Sequence, residues 1–299
     1  MRLGGRMVGG YTVVEVMMFL AVSGGLFIIA MTFIGGRQNQ AYFTASVREF
    51  QQQIEDVIND VTTGYYPRVS FSCAYSPASG NPQTANGITF SASTEEQGTR
   101  DECTFIGKTI HINMIDKNNF TVIPVAAGRL NTSSQPVTNF DEANPRPLGA
   151  EFGSISTQGM TETINLKGGL EFTAVYATTP SETNPTAFGI FTNFGNENPG
   201  TTPGTLVATL TSIPTSNGAA ANPDSIATTG NKITIMGNTG TSITKNITVI
   251  ICLRQGTGGK KAALIIGAKD RGLFSELAIN DADAKLEAVG ISGVTTCPA

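Results

Sequence analysis

The chain has 299 residues, 14% of them charged, and a formal net charge of −4. That charged share lies well below the roughly 25% of soluble domains, and Gly, Ser, Thr, Asn and Pro fill the gap. The balance excludes a general electrostatic attraction for nucleic acid or anionic lipid, which would need a local basic patch. It suits an exported, turn-rich β protein.

Residues 1–10 (MRLGGRMVGG) are Gly-rich and basic through Arg2 and Arg6. From Tyr11 the character changes. Between Val13 and Ile34 the sole ionisable residue is Glu15. As a helix this stretch rises roughly 33 Å, enough to cross a hydrocarbon core. The preceding arginines leave the N-terminus cytoplasmic and the rest outside under the positive-inside rule. A secretory signal peptide has a shorter apolar region and a small-residue cleavage site, which this stretch lacks. A plain anchor explains the length but not Glu15. A carboxylate inside a bilayer segment is costly and by default has a functional partner.

The string Gly10-Tyr11-Thr12-Val13-Val14-Glu15 resembles the type III signal of the type IV pilins and type II secretion pseudopilins. The resemblance implies that prepilin peptidase cuts between Gly10 and Tyr11 and that Tyr11 is then N-methylated. Tyr11 replaces the usual Phe but keeps the aromatic ring. It also implies that Glu15, fifth in the mature chain, is the assembly carboxylate. Glu15 would meet the N-terminal amine of a neighbouring subunit, which offsets its burial cost. Residues 1–10 are then a leader, 11–36 a transmembrane helix, 37–66 its amphipathic outer half and 67–299 an exported β-rich domain. The expected fold is α+β and pilin-like, a long N-terminal helix packed on an antiparallel sheet.

Beyond the apolar run, Phe43, Val47, Phe50, Ile54, Val57 and Val61 recur at helical spacing among polar residues, an amphipathic stripe. Gly64 and Pro67 supply a stop. A helix over residues 11–63 is about 80 Å long. Gly24, Gly25, Gly35 and Gly36 are weak points that permit bending or close helix contacts.

After Pro67 the period becomes alternating. Strands are predicted at Val69–Tyr75, Ile88–Ala92, Thr109–Ile115, Phe120–Ala126, Leu170–Ala177 and Ala187–Phe191. Others fall at Leu206–Thr211, Lys232–Met236, Asn246–Leu253, Ala262–Ala268 and Leu273–Ile279. Residues 128–160 and 178–231, rich in Thr, Ser, Asn, Gly and Pro, read as long loops or insertions. The last quarter reads as three antiparallel strands joined by Gly-rich turns, with Cys252 ending the first. It is similar to the C-terminal sheet of H-type pseudopilins and related minor pilins.

Four cysteines without a CxxC pair point to disulfides in an exported chain. Three pairings are possible. Cys73–Cys103 and Cys252–Cys297 are expected because each links segments neighbouring in sequence. The second closes a loop of about 45 residues, which stabilises by roughly 4 kcal/mol in the chain-entropy model. Four buried free thiols are the alternative.

No catalytic residue and no cofactor is assigned. The turn GTGGKK (residues 256–261) lacks the phosphate-loop spacing and lies between strands. With Arg254, Lys260 and Lys261 it makes a basic cluster that reads as a solvated hairpin tip. DNA contact is its sharper reading, as in some minor pilins of uptake systems. Asp281 and Asp283 with Glu287 offer calcium oxygen ligands without EF-hand spacing; a plain acidic turn is the expectation. His111 sits in an alternating strand as a surface or satisfied core histidine. Asn-x-Ser/Thr triplets at Asn119, Asn131 and Asn246 are attributed to chance.

The function expected is a pilin-like structural subunit, a minor pilin or pseudopilin. Its filament would serve secretion, adhesion, motility or DNA uptake. The implied partners are other pilin or pseudopilin subunits, prepilin peptidase, an inner-membrane assembly platform and membrane lipid. The chain would be a single-pass membrane protein, then part of a surface or periplasmic filament. A membrane-anchored binding or adhesion protein that never polymerises is the alternative, and an exported hydrolase on a stalk a further one.

Overall fold

The structure is a computed structural model. It describes residues 12–64, 71–75, 88–92, 103–129, 135–137, 140, 143, 145–147, 151–152, 155–156, 161–178, 181–183, 187–192, 206–212, 234–235, 247–256, 259–269, 272–279 and 297. The chain divides into two compact units, one ending at Ala45 and one beginning at Ser46. The class is mixed α+β, an N-terminal apolar helix and antiparallel sheets.

One helix, α1 (Val13–Thr63, 51 residues), crosses the unit boundary. Thr12 caps it. Its Oγ1 accepts the Glu15 N–H at 3.3 Å and its carbonyl accepts the Val16 N–H at 3.2 Å, which satisfies donors that a helix start leaves open. At the far end Gly64 adopts φ 70° and donates to the Val61 carbonyl at 3.3 Å. That left-handed residue ends the helix without a Cβ clash. Pro67 lies outside the described residues.

In the second unit, Val47, Phe50, Ile54, Val57 and Val61 form one stripe of α1, each no more than 4% exposed. Burying such a side chain stabilises by about 1.5–3 kcal/mol. The strands follow in chain order: β1 (Phe71–Tyr75), β2 (Ile88–Ala92), β3 (Cys103–Ile112), β4 (Asn119–Gly128), β5 (Arg146–Pro147), β6 (Glu151–Phe152), β7 (Ile155–Ser156) and β8 (Glu162–Asn165). Then come β9 (Leu170–Thr178), β10 (Ser181–Thr183), β11 (Ala187–Thr192), β12 (Leu206–Ser212), β13 (Thr234–Ile235), β14 (Val249–Gln255), β15 (Lys261–Lys269) and β16 (Gly272–Ile279).

A seven-stranded sheet runs β13-β12-β11-β3-β4-β5, with β8 also beside β4, and a five-stranded sheet runs β10-β9-β14-β15-β16. β1–β2 and β6–β7 form two separate two-stranded sheets. Every described pairing is antiparallel. Three rings join the layers: Phe50 of α1 meets Phe120 of β4 at 5.5 Å and Phe172 of β9 at 5.7 Å, edge to face. The two strand rings lie 6.3 Å apart, within the range of favourable aromatic pairs.

Four sequence expectations need correction. The third predicted strand, Thr109–Ile115, is β3 at Cys103–Ile112. A bulge between Phe105 and Gly107 breaks its alternation, and Gly107 has φ 155°, so the period was visible only after it. Strand β8 (ETIN) was missed because it is polar, with three of its four residues exposed. Within 178–231 the predicted strands Ala187–Phe191 and Leu206–Thr211 are β11 and β12, but β10 was not expected there, nor were the short β5, β6 and β7 in 128–160. Cys252 sits within β14 and does not end it.

Candidate functional site

The head of α1 is the first site to weigh. Val13–Met31 is a helical span of 19 residues, long and apolar enough to cross a membrane. Its apolar side chains are exposed throughout, from Val13 at 73% to Met31 at 55%. A soluble core helix with this composition hides such surface; none of this span is buried among the described residues. The Ser23 hydroxyl donates to the Leu20 carbonyl at 3.2 Å, so that polar group is satisfied inside the helix itself, as an apolar medium demands. Glu15 is the one charged residue of the span. It lies in the first turn, where the helix dipole favours an anion. Thr12 and Glu15 stand three apart as in a capping box. The capping role of Thr12 was not read from the sequence, and the T-x-x-E spacing was its signal.

A few polar side chains of the second unit tie α1 to the strands and their turns. Lys108 Nζ of β3 reaches Asp60 Oδ2 at 2.5 Å, and Lys167 pairs with Glu49. Between them, Gln51 Nε2 donates to Glu55 Oε1 and to Ser275 Oγ of β16, whose hydroxyl donates to Glu55 Oε1 at 2.6 Å.

The second feature is a set of buried polar side chains in the seven-stranded sheet. His111 pairs across the ladder with Thr121 on one side and Ala187 on the other. Burial pushes its pKa below the usual imidazole value, so it is neutral at physiological pH. His111 Nδ1, Thr109 Oγ1 and Thr211 Oγ1 are buried without a hydrogen-bond partner. A single neutral imidazole among hydroxyls, with no carboxylate oriented on it among the described residues, lacks the base and orienting group of a nucleophilic site.

The basic cluster on the β14–β15 turn is largely engaged within the chain. Arg254 Nη2 meets Glu171 Oε2 at 3.0 Å. Lys261 Nζ donates to the Cys297 carbonyl at 2.7 Å. Lys260 Nζ is buried without a partner. The Arg254 side chain is 36% exposed.

Cys252 and Cys297 form a disulfide with a Cα separation of 5.6 Å, 45 residues apart in sequence. Both half-cystines are buried, in a cluster with Ala174, Tyr176, Ile250, Ile265 and Ala278. Cys73 lies on β1 and Cys103 on β3, but their side chains, like Gly10, Tyr11, Asp281 and Asp283, lie outside the described residues. Among the described residues, no group of three His, Cys, Asp or Glu side chains comes together. Comparison with protein-family models, curated proteins and solved structures finds no match.

Proposed function

We propose that this chain is a type IV pilin-like subunit, a minor pilin or pseudopilin assembled into a filament through its N-terminal helix. The observation that carries the reading is the pairing of an exposed apolar helix with one carboxylate, Glu15, in its first turn. The same helix continues into a buried stripe of the β-rich unit, so one element serves as membrane anchor, assembly rod and core. The Gly10-Tyr11 junction just before the cap is the peptidase site of this reading, and Tyr11 becomes the methylated N-terminus.

Before assembly the apolar span lies in lipid, which covers the surface that the described residues leave bare. In the filament, the same side chains pack on those of neighbouring subunits. The Glu15 carboxylate then faces a neighbour's amine. The ion pair is favourable in that dry setting only when both partners are present, which couples insertion to correct register. The β-rich unit is carried on the filament surface.

The test is Glu15→Ala in the full chain. The variant stays in the membrane fraction and enters filaments poorly, whereas incorporation at the wild-type level would refute the assembly role.

A further inference from the structure

The face of the seven-stranded sheet turned away from α1 is buried but not apolar. Phe120 marks the opposite face, where it meets the Phe50 ring of α1. Alternation along β3 and β4 therefore puts Thr109, His111 and Thr121 on the far one. Register carries that face across the sheet: His111 lies opposite Thr121 and Ala187, Thr109 opposite Gly189, and Gly189 opposite Thr209. Thr211 is two residues further along β12 and shares the face. The four threonines are no more than 3% exposed and His111 is 7% exposed. The Thr121 hydroxyl is paired with that of Thr163 at 3.2 Å. Thr109 Oγ1, His111 Nδ1 and Thr211 Oγ1 have no hydrogen-bond partner among the described residues. A buried polar atom left unpaired carries its full desolvation penalty, so each of the three calls for a partner.

Ala187 separates His111 from Thr211 with only a methyl group. Adjacent strands are about 4.8 Å apart, so β3 and β12 stand about 10 Å apart across β11. That is too far for an imidazole and a hydroxyl to bond directly, and close enough for one or two water molecules to join them. Thr109 stands about 7 Å along β3 from His111, within reach of the same bridge. The neighbouring row is closed, because the Phe191 ring fills the space above Gly189, with Cε2 at 2.1 Å and Cζ at 2.4 Å from where a Cβ would lie. The Thr211 methyl lies 3.0 Å from that same point, so its hydroxyl, the other branch of the Cβ, is directed off Gly189.

The character of the three groups selects the ligand. Burial keeps the imidazole neutral, and the hydroxyls are uncharged. Lys108, next to Thr109, lies on the opposite face and pairs with Asp60. No charged side chain shares the polar face in the described strands β3, β4, β11 and β12. A ligand that donates and accepts, carries no charge and fits beside a methyl group is water. We infer that the interior of this sheet holds a bound-water site at Ala187, where water bridges His111 Nδ1 to the hydroxyls of Thr211 and Thr109. The bridge ties β3 to β12 past the strand between them, and it does not depend on the filament reading above.

His111 is the only histidine of the chain, so selective nitrogen-15 histidine labelling of the detergent-extracted full chain reads this one ring. Nδ1 shows the shift of a hydrogen-bonded nitrogen, and the adjoining Hε1 proton cross-relaxes with long-lived water. Thr211→Val, which keeps the shape and removes the hydroxyl, gives a second reading by its sign. With the bridge in place the variant takes a partner from the water, so the Nδ1 signal moves and the urea midpoint falls by about 0.3 M. With the hydroxyl unpartnered, the same change only removes a buried polar atom and the midpoint rises. Thr211→Ser keeps the hydroxyl and with it the wild-type Nδ1 signal. A ring without contact to long-lived water, or a midpoint that rises in Thr211→Val, overturns the site.

Discussion

Lys108 of the central strand β3 and Asp60 of α1 form an ion pair at 2.5 Å, with the lysine side chain 8% exposed and the carboxylate 30% exposed. The pair fixes the far end of the helix against the seven-stranded sheet. Removing the carboxylate in Asp60→Ala leaves a buried ammonium without its counter-ion. We expect a loss of about 2 kcal/mol, below the 3–5 of a fully buried pair because Asp60 is partly solvated. Denaturant unfolding of the detergent-extracted chain reads it. The double change Asp60→Leu with Lys108→Met recovers most of the loss, since an apolar pair leaves no charge unpartnered.

His111 predicts an acid sensitivity. Its folded pKa is lowered from 6.5 by burial, so the unfolded chain takes up its proton first. Above that value both states hold the imidazole neutral, so it adds no pH dependence. As pH falls through 6.5 towards the lower folded value, stability declines, because the unfolded state binds more protons. His111→Gln removes this slope. Urea midpoints between pH 7.5 and 5 test it: the wild type loses more than the variant, and the divergence begins near 6.5.

The glycines of the seven-stranded sheet carry a packing prediction. A Cβ at Gly107 would lie 2.1 Å from the Ile190 carbonyl oxygen, and one at Gly189 would lie 2.1 Å from Cε2 of the Phe191 ring. That ring also packs on Phe140 at 4.9 Å. Gly107→Ala meets backbone at a φ that L side chains rarely adopt, and it should cost about 3 kcal/mol. Gly189→Ala meets side chains rather than backbone and carries no positive φ, so it costs less. Thermal midpoints of the two variants rank in that order.

The disulfide offers a fourth test. Cys252 and Cys297 enclose β15 and β16 in a loop of 45 residues. Replacing both with Ala should lower stability by roughly 4 kcal/mol in the chain-entropy model. The comparison is denaturant unfolding of the variant and the oxidised wild type.

Much of this architecture was legible because the patterns are local. The stripe from Val47 to Val61 spaced itself as a helix face, and the strands of the last quarter alternate clearly. Pairing was less legible. Val249 of β14 lies opposite Ala177 of β9, and Ile110 of β3 opposite Phe188 of β11. Alternation tells which face a side chain takes, never which distant strand lies beside it. Gly107 hid the start of β3 for the same reason, since a bulge resets the alternation. At the head of α1, the apolar run and Glu15 stood out by composition, whereas Thr12 acts through one backbone bond. Ile115 was read as the end of a strand that stops at Ile112, because the turn that follows is set by the backbone angle of Lys117, which composition does not reveal.

The central claim is that residues 1–10 are a leader removed to make a methylated Tyr11 N-terminus ahead of Glu15. Intact mass of the membrane-extracted protein tests it most directly. The account predicts a chain that starts at Tyr11 and carries one added methyl group. A mass corresponding to an intact Met1 start would contradict it and leave a membrane anchor that does not polymerise by this route.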